Sequence, residues 1–153
     1  MDLTHNIIEY VNCCVGAFAN RFHLTLAQSY AYLRRFQGID FLIDCYPAEH
    51  TLSIEDAVED MTILCKKNGG QIQIKRENKL LNQDIQFQIE CLSTELVELL
   101  MQKYGWDMKK ALDELYSSET YKRLCDPACG LYYEGAVYVF SYLENEIETG
   151  VVK

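Results

Sequence analysis

From Leu3 to Phe22 the apolar residues Leu3, Ile7, Ile8, Val11, Val15, Phe18 and Phe22 recur every three or four positions. That spacing gathers them into one wide stripe and predicts an amphipathic helix, with Asp2 placed to cap it. Thr25 stands before a second helical pattern over 26–36, with Leu26, Tyr30 and Leu33 inward, and Gly38 is expected to stop it in the left-handed conformation. The run Ile39 to Tyr46 is short and apolar, so periodicity does not separate strand from helix; Gly38 before it and Pro47 after it favour one tight helical element. Ser53, with Asp56 three residues on, opens a helix whose stripe is Ile54, Ala57, Val58, Met61, Leu64 and Cys65. Lys66 and Lys67 suit its negative end, and Gly69-Gly70 breaks it.

Residues 69–84 carry the weakest pattern. Gln71 to Lys75 alternate as a strand would, but five residues make no stable isolated strand, so the segment reads as a connection between modules. The longest helix follows over 85–104, with Ile85, Ile89, Leu92, Leu96, Leu99, Leu100 and Tyr104 on one face. Gly105 ends it, and Asp107 caps the next, with Met108, Ala111, Leu112 and Leu115 inward. A short helix from Ser118 to Leu124, a type I turn at Asp126-Pro127-Ala128-Cys129 and a last helix over 135–148, with Ala136, Phe140, Leu143 and Ile147 inward, complete the chain. The expected fold is therefore all-α: two small helical modules, 1–68 and 85–153, joined by 69–84 and packed into one compact unit of six to eight helices.

Composition narrows the function classes. The 153 residues are 49% apolar and 24% charged, which is ordinary for a globular chain, and suffice for a core without metal or disulfide. A net charge of −9, distributed along the chain, opposes nucleic-acid binding and favours a protein partner with a basic surface. No apolar run approaches membrane-spanning length and no basic leader precedes the first helix, so no membrane association is expected. Seven cysteines without a secretion signal read as reduced thiols and a cytoplasmic location.

Candidate chemistry is sparse. Cys125 and Cys129 span a turn but lack the second pair that a zinc site needs, so no metal and no cofactor are expected. Cys13 and Cys14 point about 100° apart on a helix. Cys45 and His50 would make a nucleophile and base only with hydrogen-bond contact and an orienting third group. His50-Thr51 reads more simply as satisfying backbone groups before the Ser53 helix. Glu55, Asp56, Glu59 and Asp60 read as one acidic face, solvated or docking a basic partner. The eleven tyrosines are the least ordinary feature. Tyr116 and Tyr121 fit a core, whereas Tyr132 and Tyr133 fit core or interface equally. Neither a phosphate-cradling glycine loop nor a Gly-x-Ser-x-Gly elbow is present.

Two stretches carry a resemblance. Phe36-Gln37-Gly38-Ile39-Asp40-Phe41-Leu42, then Tyr46 and His50-Thr51-Leu52-Ser53, resembles a family of small uncharacterised bacterial proteins over about residues 5–66. Ala111-Leu112-Asp113, Tyr116-Ser117-Ser118, Thr120-Tyr121, Asp126-Pro127 and Gly130-Leu131-Tyr132 resemble a companion helical module over about 90–148. Relatives of the first module are often encoded beside proteins that look like ADP-ribosyltransferase toxins, so the resemblance implies an accessory or antitoxin-like role. The combined expectation is a non-catalytic protein-binding factor using Tyr46, His50, Thr51, Glu55, Glu59, Tyr132 and Tyr133 within 46–53 and 130–138. A small enzyme with a pocket near His50 is the alternative, and a self-associating structural protein, such as a homodimer, is a third reading.

Overall fold

The computed structural model describes residues 3–73 and 80–150 and is all-α. Nine α-helices, seven of them of seven residues or more, lie among the described residues, and no strand does. The alternating stretch from Gln71 to Lys75 has no regular structure at 71–73, and its remainder, like Asp2, lies outside the described residues. The chain divides into two compact units, Met1–Leu80 and Leu81–Lys153.

In the amino-terminal unit, α1 (Leu3–Phe22) packs on α2 (Leu26–Arg35) and α5 (Ile54–Lys67), with α3 (Gly38–Asp44) and α4 (Tyr46–Glu49) between α2 and α5 in the chain. Ile8, Val11, Val15 and Phe18 of α1 are sealed from solvent, as are Leu33, Ile39, Leu42 and Met61. Side chains of this kind contribute roughly 1.5–3 kcal/mol each. Thr25 forms a reciprocal capping box with Gln28, and the Ser53 hydroxyl accepts from the Asp56 amide at 3.1 Å. The expected left-handed stop at Gly38 is displaced by one residue: Gln37 takes it (φ 72°) and Gly38 opens α3. Gly38 is needed for closeness instead, because a Cβ there would stand 2.8 Å from Leu33 Cδ2 and 3.2 Å from Cys65 Sγ. Pro47 does not end the apolar run either. It sits in the first turn of α4, where its missing N–H costs nothing.

In the carboxy-terminal unit, α6 (Gln83–Tyr104) packs on α7 (Met108–Ser117) and α9 (Ala136–Thr149), and α8 (Glu119–Leu124) packs on α9. Capped by Asn82, α6 starts two residues ahead of the expected position, and Gly105 ends it at φ 67°. The Asp107 carboxylate caps α7 at the Lys110 amide, 2.8 Å away. The turn at Asp126 tightens into a 3-10 turn, Pro127–Cys129, and a second one follows at Leu131–Tyr133. The inward face of α9 differs from expectation. Val139 and Leu143 are buried, whereas Ala136, Phe140 and Ile147 are only half-buried.

Candidate functional site

The expected contact residues fall in both units, and each group has its own surroundings. Tyr46 and His50 lie one turn apart at the two ends of α4. Their rings stack at 4.3 Å, and Tyr46 meets the edge of Tyr10 at 5.4 Å. The pair is asymmetric: Tyr46 is buried and His50 exposed. His50 Nδ1 lies 2.5 Å from the Tyr46 carbonyl oxygen, and the Thr51 hydroxyl donates to the Ala48 carbonyl at 2.6 Å. Both side chains thus tie off the end of α4. Among the described residues no hydrogen bond joins His50 to Cys45 or to a titratable side chain of another element, so this geometry offers no nucleophile with its base.

The acidic residues of α5 occupy one arc of the helix, about 140° wide and opposite the apolar stripe. At about 100° per residue, Glu55 and Glu59 flank one side of the apolar stripe and Asp56 and Asp60 the other. Glu59 is ion-paired with Arg21 of α1 at 2.8 Å. Glu55 and Arg21, with Ala17, Asn20, Ile54 and Val58, line a shallow groove of about 430 Å³ between α1 and α5. Both partners of the ion pair are about half exposed, where such a pair contributes roughly 0–1 kcal/mol. Asp60, at the other margin of the arc, is half-buried beside the buried Glu49 of α4, whose carboxyl its charge raises after the larger effect of burial.

The tyrosines of the carboxy-terminal unit separate into core and surface. Tyr116 and Tyr121 are buried with their rings 4.6 Å apart, and burial raises both phenols. Burial also pushes the Cys125 thiol up to about 12, against a hydrogen bond with Tyr121 that lowers it. Tyr132 is buried, but its neighbour Tyr133, 4.3 Å away ring to ring, is 74% exposed. Val137 at 77% and Tyr138 at 49% continue this exposed apolar stretch onto the first turn of α9. Tyr138 and Tyr142 join hydroxyls at 2.9 Å one turn apart, and Glu134 lies close enough to raise the Tyr138 phenol, after the larger effect of Tyr142.

Residues 9–68 match the model of a family described as a protein of unknown function (DUF3791). No curated protein and no solved structure matches the chain. The matched stretch holds α1 from Glu9 onward and runs through α5 to its C-cap Asn68, so it contains Tyr46, His50, Thr51, Glu55 and Glu59, but not Tyr132 or Tyr133. Among the described residues no cluster of three or more histidine, cysteine or acidic side chains could hold a metal ion, and no helix is long and apolar enough to cross a membrane.

Two features escape the pattern of apolar spacing. Glu49 carries no motif, although it sits three residues beyond Tyr46 and three before Leu52, on the apolar side of its short helix. Asp60 belongs by sequence to a run of solvated acids, although on the helical wheel it falls about 40° from Leu64, at the margin of the apolar stripe. That margin is the available signal.

Proposed function

We propose that this protein is a non-catalytic protein-binding factor that docks a partner with a basic, partly apolar surface on the exposed face formed by Tyr133, Val137 and Tyr138. The observation that carries this reading is the run of solvent-facing apolar surface between residues 133 and 138, on a unit that otherwise buries most of its large side chains. Exposed tyrosine supplies broad contact area at low entropic cost, and its hydroxyl remains satisfied at a wet rim. Charge supports the choice of partner. Residues 81–153 hold thirteen acidic and six basic residues, so this unit carries most of the chain's net charge. A negative field steers a basic partner and raises its association rate more than its final affinity. The expected contribution of 46–53 is smaller, because Tyr46 is buried and Thr51 is committed to backbone. An antitoxin-like role, as the resemblance implies, is one form of this activity, with the neighbouring toxin as the occupant.

The test is affinity capture from the native host with the full chain and with a Tyr133→Ser, Val137→Glu double variant, both shown to be folded by circular dichroism. A basic protein held by the wild type, released by salt and lost in the variant is the expected result. Identical eluates from both proteins would refute the reading, and light scattering that shows a dimer dissociated by the same variant would replace it with self-association.

A further inference from the structure

Glu49 closes α4 and is 9% exposed. Its Oε2 is sealed from water and accepts from no N–H or ordinary hydroxyl donor. The side chain within hydrogen-bond reach is the Asp60 carboxyl on α5. Among the described residues, neither carboxyl is ion-paired with a cation. Ionised carboxylates accept and never donate, so two of them in contact leave both unsatisfied and repelling. One proton held between them supplies the missing donor and removes one charge. Burial, and then the Asp60 charge, raise the Glu49 carboxyl in the same sense.

The surroundings reinforce this arrangement. From α1, Tyr10 faces the site with its hydroxyl sealed from water, beside Cys13 and Cys14. Burial, Cys14 and the Glu49 charge all raise that phenol, so it stays neutral and adds no negative charge. On α4 itself, Tyr46 packs against Tyr10, and the His50 imidazole is turned to the Tyr46 carbonyl. On α5, Glu59 points away to Arg21.

The geometry points to a proton-dependent latch: the buried Glu49 carboxyl keeps its proton and donates it to Asp60, that bond fastens α4 to α5, and the segment 45–52 loosens when the proton leaves. A carboxyl raised in the folded state contributes stability that is complete below the ordinary carboxylate range and is lost as pH climbs through the raised value. The short α4 has few bonds of its own to resist. Those at its end are Glu49 N to Cys45 O, His50 N to Tyr46 O and Leu52 N to Glu49 O. Such elements open first. The latch lies in the amino-terminal unit and stands independently of the docking face proposed above.

The test is amide hydrogen exchange on the full chain between pH 5 and 8, corrected for intrinsic rates. Protection at Glu49, His50 and Leu52 should fall with pH, approaching about tenfold per unit where one proton is fully linked to opening, while protection at Val11 and Val15 stays level. In Glu49→Gln the amide donates to Asp60 without a titrating proton, so the dependence should vanish. His50 is retained in that variant, so the comparison isolates the carboxyl. Level protection at 45–52 in the wild type, or an unchanged slope in Glu49→Gln, would overturn the latch. Should that variant fail to fold, carbon-13 titration of the wild-type carboxyls decides. A Glu49 step displaced above the ordinary carboxylate range is expected, and a Glu49 step within that range would overturn it.

Discussion

Removal of Glu146 is the most direct probe of how the carboxy-terminal unit is held together. This α9 carboxylate accepts from the Glu119 amide at 2.8 Å, the Thr120 amide at 2.9 Å and the Thr120 hydroxyl at 2.8 Å. Those are the first two amides of α8. The third, Tyr121 N, goes to the Ser118 hydroxyl at 3.0 Å, so the start of a six-residue helix is satisfied largely by side chains. Caps of this kind contribute about 0.5–2 kcal/mol. Thr120 is buried and loses two partners at once, whereas water reaches the Glu119 amide. Glu146→Ala is therefore expected to cost about 2 kcal/mol, and Glu146→Gln, which keeps one acceptor oxygen, about 1 kcal/mol. Trp106, the single tryptophan, stacks on Tyr104 in this unit, so its fluorescence during urea unfolding reports the loss. The pH dependence has a definite sign. Burial alone would raise the Glu146 carboxyl, but the bonds from Glu119 and Thr120 and the charge of Arg123 lower it overall. The contribution is then complete above the ordinary carboxylate range and is lost as pH falls through the lowered value. The gap between wild type and Glu146→Gln should narrow at acid pH. A Glu146→Ala variant within about 0.5 kcal/mol of wild type, or a Glu146→Gln gap that is the same at neutral and strongly acid pH, would refute this account.

Gly70 packs where no side chain fits, since a Cβ there would stand 2.5 Å from Tyr32 Oη and 2.8 Å from the Cys65 carbonyl oxygen. The carbonyl belongs to backbone and cannot turn aside, so Gly70→Ala should cost about 1–3 kcal/mol in urea unfolding. Thiol labelling at pH 8 should modify Cys91 and Cys129 rapidly, because both are exposed. Cys14, Cys65 and Cys125 should react only on unfolding: Cys14 is sealed from solvent, and burial pushes the Cys65 and Cys125 thiols up to about 11 and about 12. Mass mapping of the labelled peptides checks the order.

The helical architecture is legible because local chemistry and apolar spacing agree along most of the chain. Thr25, Ser53 and Asp107 cap the helices that follow them, and Gly105 ends α6 in the left-handed form, as their positions in the pattern imply, whereas Ser118, expected as the first residue of its helix, caps it. Gly38 departs from expectation because a glycine serves either a backbone dihedral or a close approach. Only the packed neighbours Leu33 and Cys65 distinguish the two uses. On α9, spacing alone puts Ala136 and Phe140 at the centre of the inward face, whereas the helix turns Val139 and Leu143 into the core. Its sequence is apolar over most of the first two turns, so periodicity there leaves the rotation of the helix undetermined. The pairing of Glu49 with Asp60 and the reach of Glu146 to α8 join residues on different helices, and no spacing rule connects them. The candidate surface is legible as a segment, 130–138, but not in its division into buried Tyr132 and exposed Tyr133.

The Glu146 clamp also has a use as an antenna. Because one carboxylate of α9 bridges to the opening amides of α8, a bound molecule that displaced Glu146 would alter the bonds of the Glu119 and Thr120 nitrogens. Their nuclear resonances would then announce occupancy of the Val137–Tyr138 face from a neighbouring helix, without a label on the face itself.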